Sequence, residues 1–65
     1  MRNYKFFMYI ESKPGMFELC EVRDYQCDTR RYVKRLAQSL VNRWCDYVEV
    51  RDEFNQHVWC VEFQG

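Results

Sequence analysis

The side chains best suited to chemistry in this chain are four cysteines, Cys20, Cys27, Cys45 and Cys60, and a single histidine, His57. Thiolates and imidazoles are the ligands of structural zinc and the two halves of a Cys-His nucleophilic pair, so their spacing decides what they can do. No two of these cysteines stand as Cys-x-x-Cys, and one imidazole is too few to complete a mixed set, so no metal and no cofactor is expected. A helix expected between Cys27 and Cys45 holds them about 25 Å apart, at ~1.5 Å for each of roughly 16 to 18 residues, far beyond disulfide reach. Cys20 and Cys60 both fall on strand patterns and could be neighbours in the sheet; in a reducing compartment they are expected as buried free thiols. His57 and Cys60 are three positions apart, which on a regular strand points them to opposite faces. A Cys-His pair is therefore not encoded locally, and catalysis requires that Cys20, Cys27 or Cys45 approach His57 through the fold. There is no Gly-rich phosphate loop, and 65 residues leave little volume for a preorganised pocket, so the expectation is a protein without catalytic residues.

The elements that position these groups are legible as patterns. Tyr4 to Glu11 is rich in β-favouring residues and puts Tyr4, Phe6, Met8 and Ile10 on one face at a two-residue period. Pro14-Gly15 between Lys13 and Met16 has the composition of a type II turn. A returning strand is expected from Phe17 to about Arg23. Its pattern is mixed, with Phe17 and Leu19 on one face and Cys20 and Val22 on the other, which calls for a bulge or for two partly covered faces. Asp28 or Thr29 is placed to cap a helix. Val33, Leu36, Ala37, Leu40, Val41 and Trp44 then form one continuous apolar stripe at helical spacing. Tyr47 to Arg51 and His57 to Phe63 read as two further strands around a turn at 52–56.

The expected fold is therefore α+β, a single domain over 1–65 of order β-β-α-β-β, with one helix packed on one face of a four-stranded, mainly antiparallel sheet. Because the second and third strands carry most of the acids, they are expected at the sheet edges, with the first and last strands central. A chain of this length buries only about 60% of its unfolded surface, which it offsets with five Tyr, five Phe and two Trp. No apolar run is long enough to span a bilayer and no apolar leader core follows Met1, so a cytoplasmic protein with no membrane partner is expected.

Ten basic and ten acidic side chains cancel overall, yet 29–45 carries Arg30, Arg31, Lys34, Arg35 and Arg43 without an acid, +5 set against −5 elsewhere. The polar helix face of Arg31, Lys34, Arg35, Gln38 and Asn42 is thus a candidate surface for a partner or for nucleic-acid phosphates. The second candidate is the sheet face the helix leaves open. On the opposite parity of the first strand stand Lys5, Phe7, Tyr9 and Glu11, and Val58 and Cys60 of the last strand are expected to join Phe7 and Tyr9 in an apolar patch.

The order of elements resembles that of the small accessory proteins with which phages and mobile elements block host machinery, including some anti-CRISPR proteins. The likeness is one of architecture, matches no motif and transfers no site. The reading that follows is a non-enzymatic binding protein acting through a protein–protein surface, homo-oligomeric, with a dimer expected, through the open sheet face. Nucleic-acid binding through the helix is the alternative.

Overall fold

The computed structural model describes residues 2–64. Its elements are β1 (Arg2–Lys13), β2 (Met16–Cys27), α1 (Arg30–Arg43), β3 (Tyr47–Asp52) and β4 (His57–Glu62). The strands form one open sheet in the order β2-β1-β3-β4, with every neighbouring pair antiparallel. The α+β class and the β-β-α-β-β order are as the sequence patterns require. Since β2 and β3 are both antiparallel to β1, they run parallel to one another, and α1 carries the chain across from one side of β1 to the other.

The core is the layer between helix and sheet. Tyr4, Phe6 and Met8 of β1, Val48 and Val50 of β3, and Val33, Ala37, Leu40 and Val41 of α1 are all buried there, with Cys27 and Cys45 closing its ends. The period-two face of β1 and the helical stripe meet as their spacing demands, and among the described residues no polar or charged side chain is buried. Ile10 and Trp44, at the ends of the two patterns, stay exposed. Ile10 lies beyond the stretch of β1 that pairs with β3, and Trp44 is the helix C-cap, with φ −125°, so its side chain leaves the stripe. Thr29 is the N-cap, its hydroxyl accepting from the Tyr32 amide at 3.2 Å.

Gly15 sits at φ 80° in the turn between β1 and β2, the backbone conformation that the Pro-Gly pair favours. The long hairpin it closes is pinned at mid-length by Asp46. The Asp46 amide donates to the Tyr9 carbonyl at 2.9 Å, and its carboxylate accepts from the Glu11 amide at 2.8 Å.

Three expectations are corrected. First, β3 is central and β4 is an edge, the reverse of what the acid count on β3 suggested. Glu49 and Arg51 of β3 lie on its open face and pair with each other, Asp52 at its end accepts from the Phe54 and Gln56 amides of the following turn, and Val48 and Val50 on the helix side are fully buried, so this strand needs no edge position. Second, Cys20 and Cys60 are neither neighbours nor buried: β2 and β4 are opposite edges, three strand spacings of ~4.8 Å apart, and both thiols are exposed. Third, β2 continues past Arg23 to Cys27, because Tyr25 packs edge-on against Phe6 at 5.1 Å and Cys27 is buried.

Candidate functional site

The sheet face away from α1 is open, and strand register assigns its residues. In an antiparallel ladder, directly opposed residues point to the same side. One row across the sheet contains Asp24, Lys5, Arg51 and His57. The next contains Val22, Phe7, Glu49 and Cys60, and the third Leu19, Tyr9, Tyr47 and Glu62. Phe17 lies beyond, opposite Glu11.

Two irregularities create this arrangement. A register shift between Met8 and Tyr9 inserts one extra residue of β2, so Leu19 and Val22, three apart in sequence, both reach the open face with Phe17. The mixed pattern of β2 was the trace of this bulge. A second shift, between Val50 and Arg51, skips Val58. Val58 therefore does not join Phe7 and Tyr9 as expected but packs against the core with Trp59 and Val61. The same shift overturns the expectation that His57 and Cys60 face opposite ways. Both stand on the open side, His57 opposite Arg51 and Cys60 opposite Glu49.

Phe7 and Tyr9 are where the alternation places them, but half-buried rather than wet. The Arg51 guanidinium lies over the Phe7 ring at 4.9 Å, and Tyr47 meets Tyr9 edge-on at 5.7 Å and Phe17 at 5.6 Å. The apolar exposure on this side is greater on β2, where Leu19 is 54% exposed, Val22 42% and Phe17 38%. On the helix side the same strand carries Glu18, Glu21 and Arg23, opposite Ile10, Met8 and Phe6, and Glu21 and Arg23 pair with one another. Over 17–23 the edge strand thus has its amphipathicity reversed, with charge toward the helix and apolar side chains toward the open face, whereas Tyr25 and Cys27 beyond it pack toward the core.

Glu49 organises the polar part of the face. Its carboxylate accepts from Arg51 Nη2 at 3.2 Å and, with the proton on Nδ1, from His57 at 3.2 Å. Burial alone pushes this carboxyl up, but the hydrogen bonds and charges of Arg51 and His57 outweigh it and hold Glu49 below its ordinary value. Tyr47 is pushed up from 10.0 to about 12, first by hydrogen bonding to the Cys60 thiol and then by burial. Lys5 and Asp24 form an exposed pair at 3.6 Å.

On α1, Arg31, Lys34, Arg35, Gln38 and Asn42 all lie on the exposed side, in one stripe as expected. Gln38 donates to Asn42 at 3.0 Å, and Lys34 Nζ sits 4.5 Å over the Trp59 ring, so this cation also shields core edge. Among the described residues, none of the helix cations has an acid within salt-bridge distance. A third feature is a shallow groove of about 250 Å³ where helix and sheet end together, lined by Ile10, Trp44, Asp46 and Phe63 among others.

Sequence reasoning missed Phe17, Leu19, Val22 and Tyr47 on the open face. Their signal was present in the three-residue offset between Leu19 and Val22, which only a bulge reconciles with one apolar side. Among the described residues, no group of three or more His, Cys, Asp or Glu is positioned to hold a metal ion. Comparison with known protein families, curated proteins and solved structures found no match, so this surface is read from its own chemistry.

Proposed function

We propose that this protein is a non-enzymatic binding protein whose working surface is the open face of the sheet, used for protein–protein contact. The observation that carries this is the reversed amphipathicity of β2. A strand solvated on its open face and packed on the helix side carries the opposite pattern, whereas here Phe17, Leu19 and Val22 are spent on the uncovered side. The half-buried Phe7, Tyr9 and Tyr47 extend that patch inward, and Arg51, Glu49 and His57 supply polar contacts with defined positions. Aromatic centres bordered by an Arg fork are what interface cores are built from.

The test compares the wild type with the double variant Leu19→Lys/Val22→Lys, after circular dichroism has verified that both fold. Solution mass and stoichiometric capture of protein from the native host are then measured. The wild type is expected to hold a protein, a second copy included, that the variant loses. A variant that keeps every association of the wild type, or a wild type that holds no protein at all, overturns the proposal.

A second reading has its own support. Arg31 and Arg35 are exposed, without acid partners among the described residues, and share one helix stripe with Lys34, a charge pattern suited to nucleic-acid phosphates. It predicts an affinity for DNA or RNA that falls steeply with salt and is lost when Arg31, Lys34 and Arg35 are neutralised together. No shift of either nucleic acid at low salt removes it.

A further inference from the structure

Resting on the protein-binding reading of the open face, we propose that its occupant is a second copy of this chain, seated face to face about a two-fold axis that runs across the strands through the row of Val22, Phe7, Glu49 and Cys60. The layout of the face is self-complementary about that line. Asp24, Lys5, Arg51 and His57 lie in the row on one side of it, and Leu19, Tyr9, Tyr47 and Glu62 lie in the row on the other. A two-fold across the strands turns the first row over the second. Lys5 then faces the partner's Tyr9, Arg51 faces the partner's Tyr47 and His57 faces the partner's Glu62, while Asp24, paired with Lys5 of its own copy at 3.6 Å, lies over the partner's Leu19. Cations meet aromatic faces and an acid in both halves of the interface at once.

The other face-to-face symmetry, with the axis along the strands between β1 and β3, fails on the same residues. It sets Lys5 over the partner's Arg51, and again in reverse, and it lays the apolar edge of β2 over the polar edge of β4. In the favoured arrangement β2 lies over β2, and Val22 meets the partner's Val22. Glu49 also meets its own mate near the axis, but its charge is already held between Arg51 and His57 of its own copy. Sheets packed in this way stand ~10 Å apart, so the two Cys60 thiols come within reach of a short bis-maleimide, whereas an axis along the strands sends them to opposite edges.

Because a residue on the axis meets itself, one position provides the test. Val22→Lys and Val22→Glu are each expected to dissociate the dimer to the 8.2 kDa chain, and an equimolar mixture of the two is expected to regain twice that mass. In a Cys20→Ser background, a ~10 Å bis-maleimide is expected to join Cys60 to Cys60 in the wild-type surface and not in either Val22 variant. A wild type that is monomeric at high micromolar concentration overturns the inference. If such a monomer still holds a host protein that Leu19→Lys/Val22→Lys loses, the protein-binding reading stands without it. A dimer that survives both Val22 variants, or a mixture that stays monomeric, overturns this symmetry.

Discussion

Replacing Leu19 with serine separates the two faces of the sheet, because the larger part of the cost should fall on association and the smaller on folding. Leu19 is 54% exposed in the single chain, so roughly half the ~1.5–3 kcal/mol of a buried leucine, about 1 kcal/mol, is already realised there. The rest, again about 1 kcal/mol, is realised only when a partner covers the face, and a symmetric dimer counts it twice. Leu19→Ser is therefore expected to raise the dimer dissociation constant by about 30-fold, for ~2 kcal/mol in all, while lowering the stability of the single chain by about 1 kcal/mol. Phe6→Ala is the contrast. Phe6 is 0% exposed and packs edge-on with Tyr25, and its truncation is expected to cost ~3–5 kcal/mol, comparable to the whole stability of a domain this small. Sedimentation equilibrium over a dilution series gives the first quantity and urea unfolding at low concentration the second. A Leu19→Ser protein that unfolds as readily as Phe6→Ala, or one whose dissociation constant moves less than about threefold, refutes the assignment of Leu19 to an interface.

Four further outcomes follow from local geometry. Gly15→Ala meets no neighbouring atom within 4 Å, so its cost is the backbone strain of φ 80° alone, about 1–2 kcal/mol in urea unfolding, and an unchanged midpoint would mean that the turn does not hold that conformation. At concentrations where the chain is dissociated, a thiol reagent should modify Cys20 and Cys60 quickly and Cys27 and Cys45, only 1% and 6% exposed, at the rate of unfolding; four equally fast thiols would contradict the described burial. Glu49 is held below its ordinary 4.5, so the unfolded chain binds its proton first. Its stabilisation is present above pH 4.5 and lost as pH falls through the folded value, and Glu49→Gln should flatten that acid limb. Burial, ahead of the opposing hydrogen bonds, lifts the Cys45 thiol above 9.0. Its contribution is complete below pH 9.0 and is lost as pH rises through the folded value, so Cys45→Ala should flatten the alkaline limb, and a limb left unchanged would assign the loss to other groups.

Local pattern carried the elements well. The helix stripe from Val33 to Val41, the Pro14-Gly15 turn and the alternation of Tyr4, Phe6 and Met8 each follow from side chains close in sequence, and each stands in the structure as the residues imply. Strand order was not legible, because it depends on which side of a strand its charges occupy and not on how many it has. Glu49 and Arg51 looked like edge residues by number, yet with Val48 and Val50 behind them they suit an interior strand. The candidate site was half legible for a related reason. Phe7 and Tyr9 follow from alternation, whereas the gathering of Leu19 with Val22 and of His57 with Cys60 depends on two register shifts set by backbone pairing between strands distant in sequence.

The width of the helix explains why β2 is built as it is. An α-helix with its side chains is about 10–12 Å across, while four strands at ~4.8 Å spacing form a wider layer, so one helix cannot cover all of them. Here α1 lies over the centre of the sheet and the β4 side, where Trp59 and Val61 pack against the core, and β2 is left at its margin. Glu18, Glu21 and Arg23 suit that wet margin and keep a second helix or another sheet from settling on it. Were the other side of β2 also meant for water, charges there would cost nothing and would protect a 12-residue edge from pairing. Instead it carries Phe17, Leu19 and Val22 beside Tyr9, Tyr47 and Phe7. Apolar side chains bring a stabilising gain only when water leaves them. With the helix on the opposite side, the proposed partner chain is the surface that would remove that water.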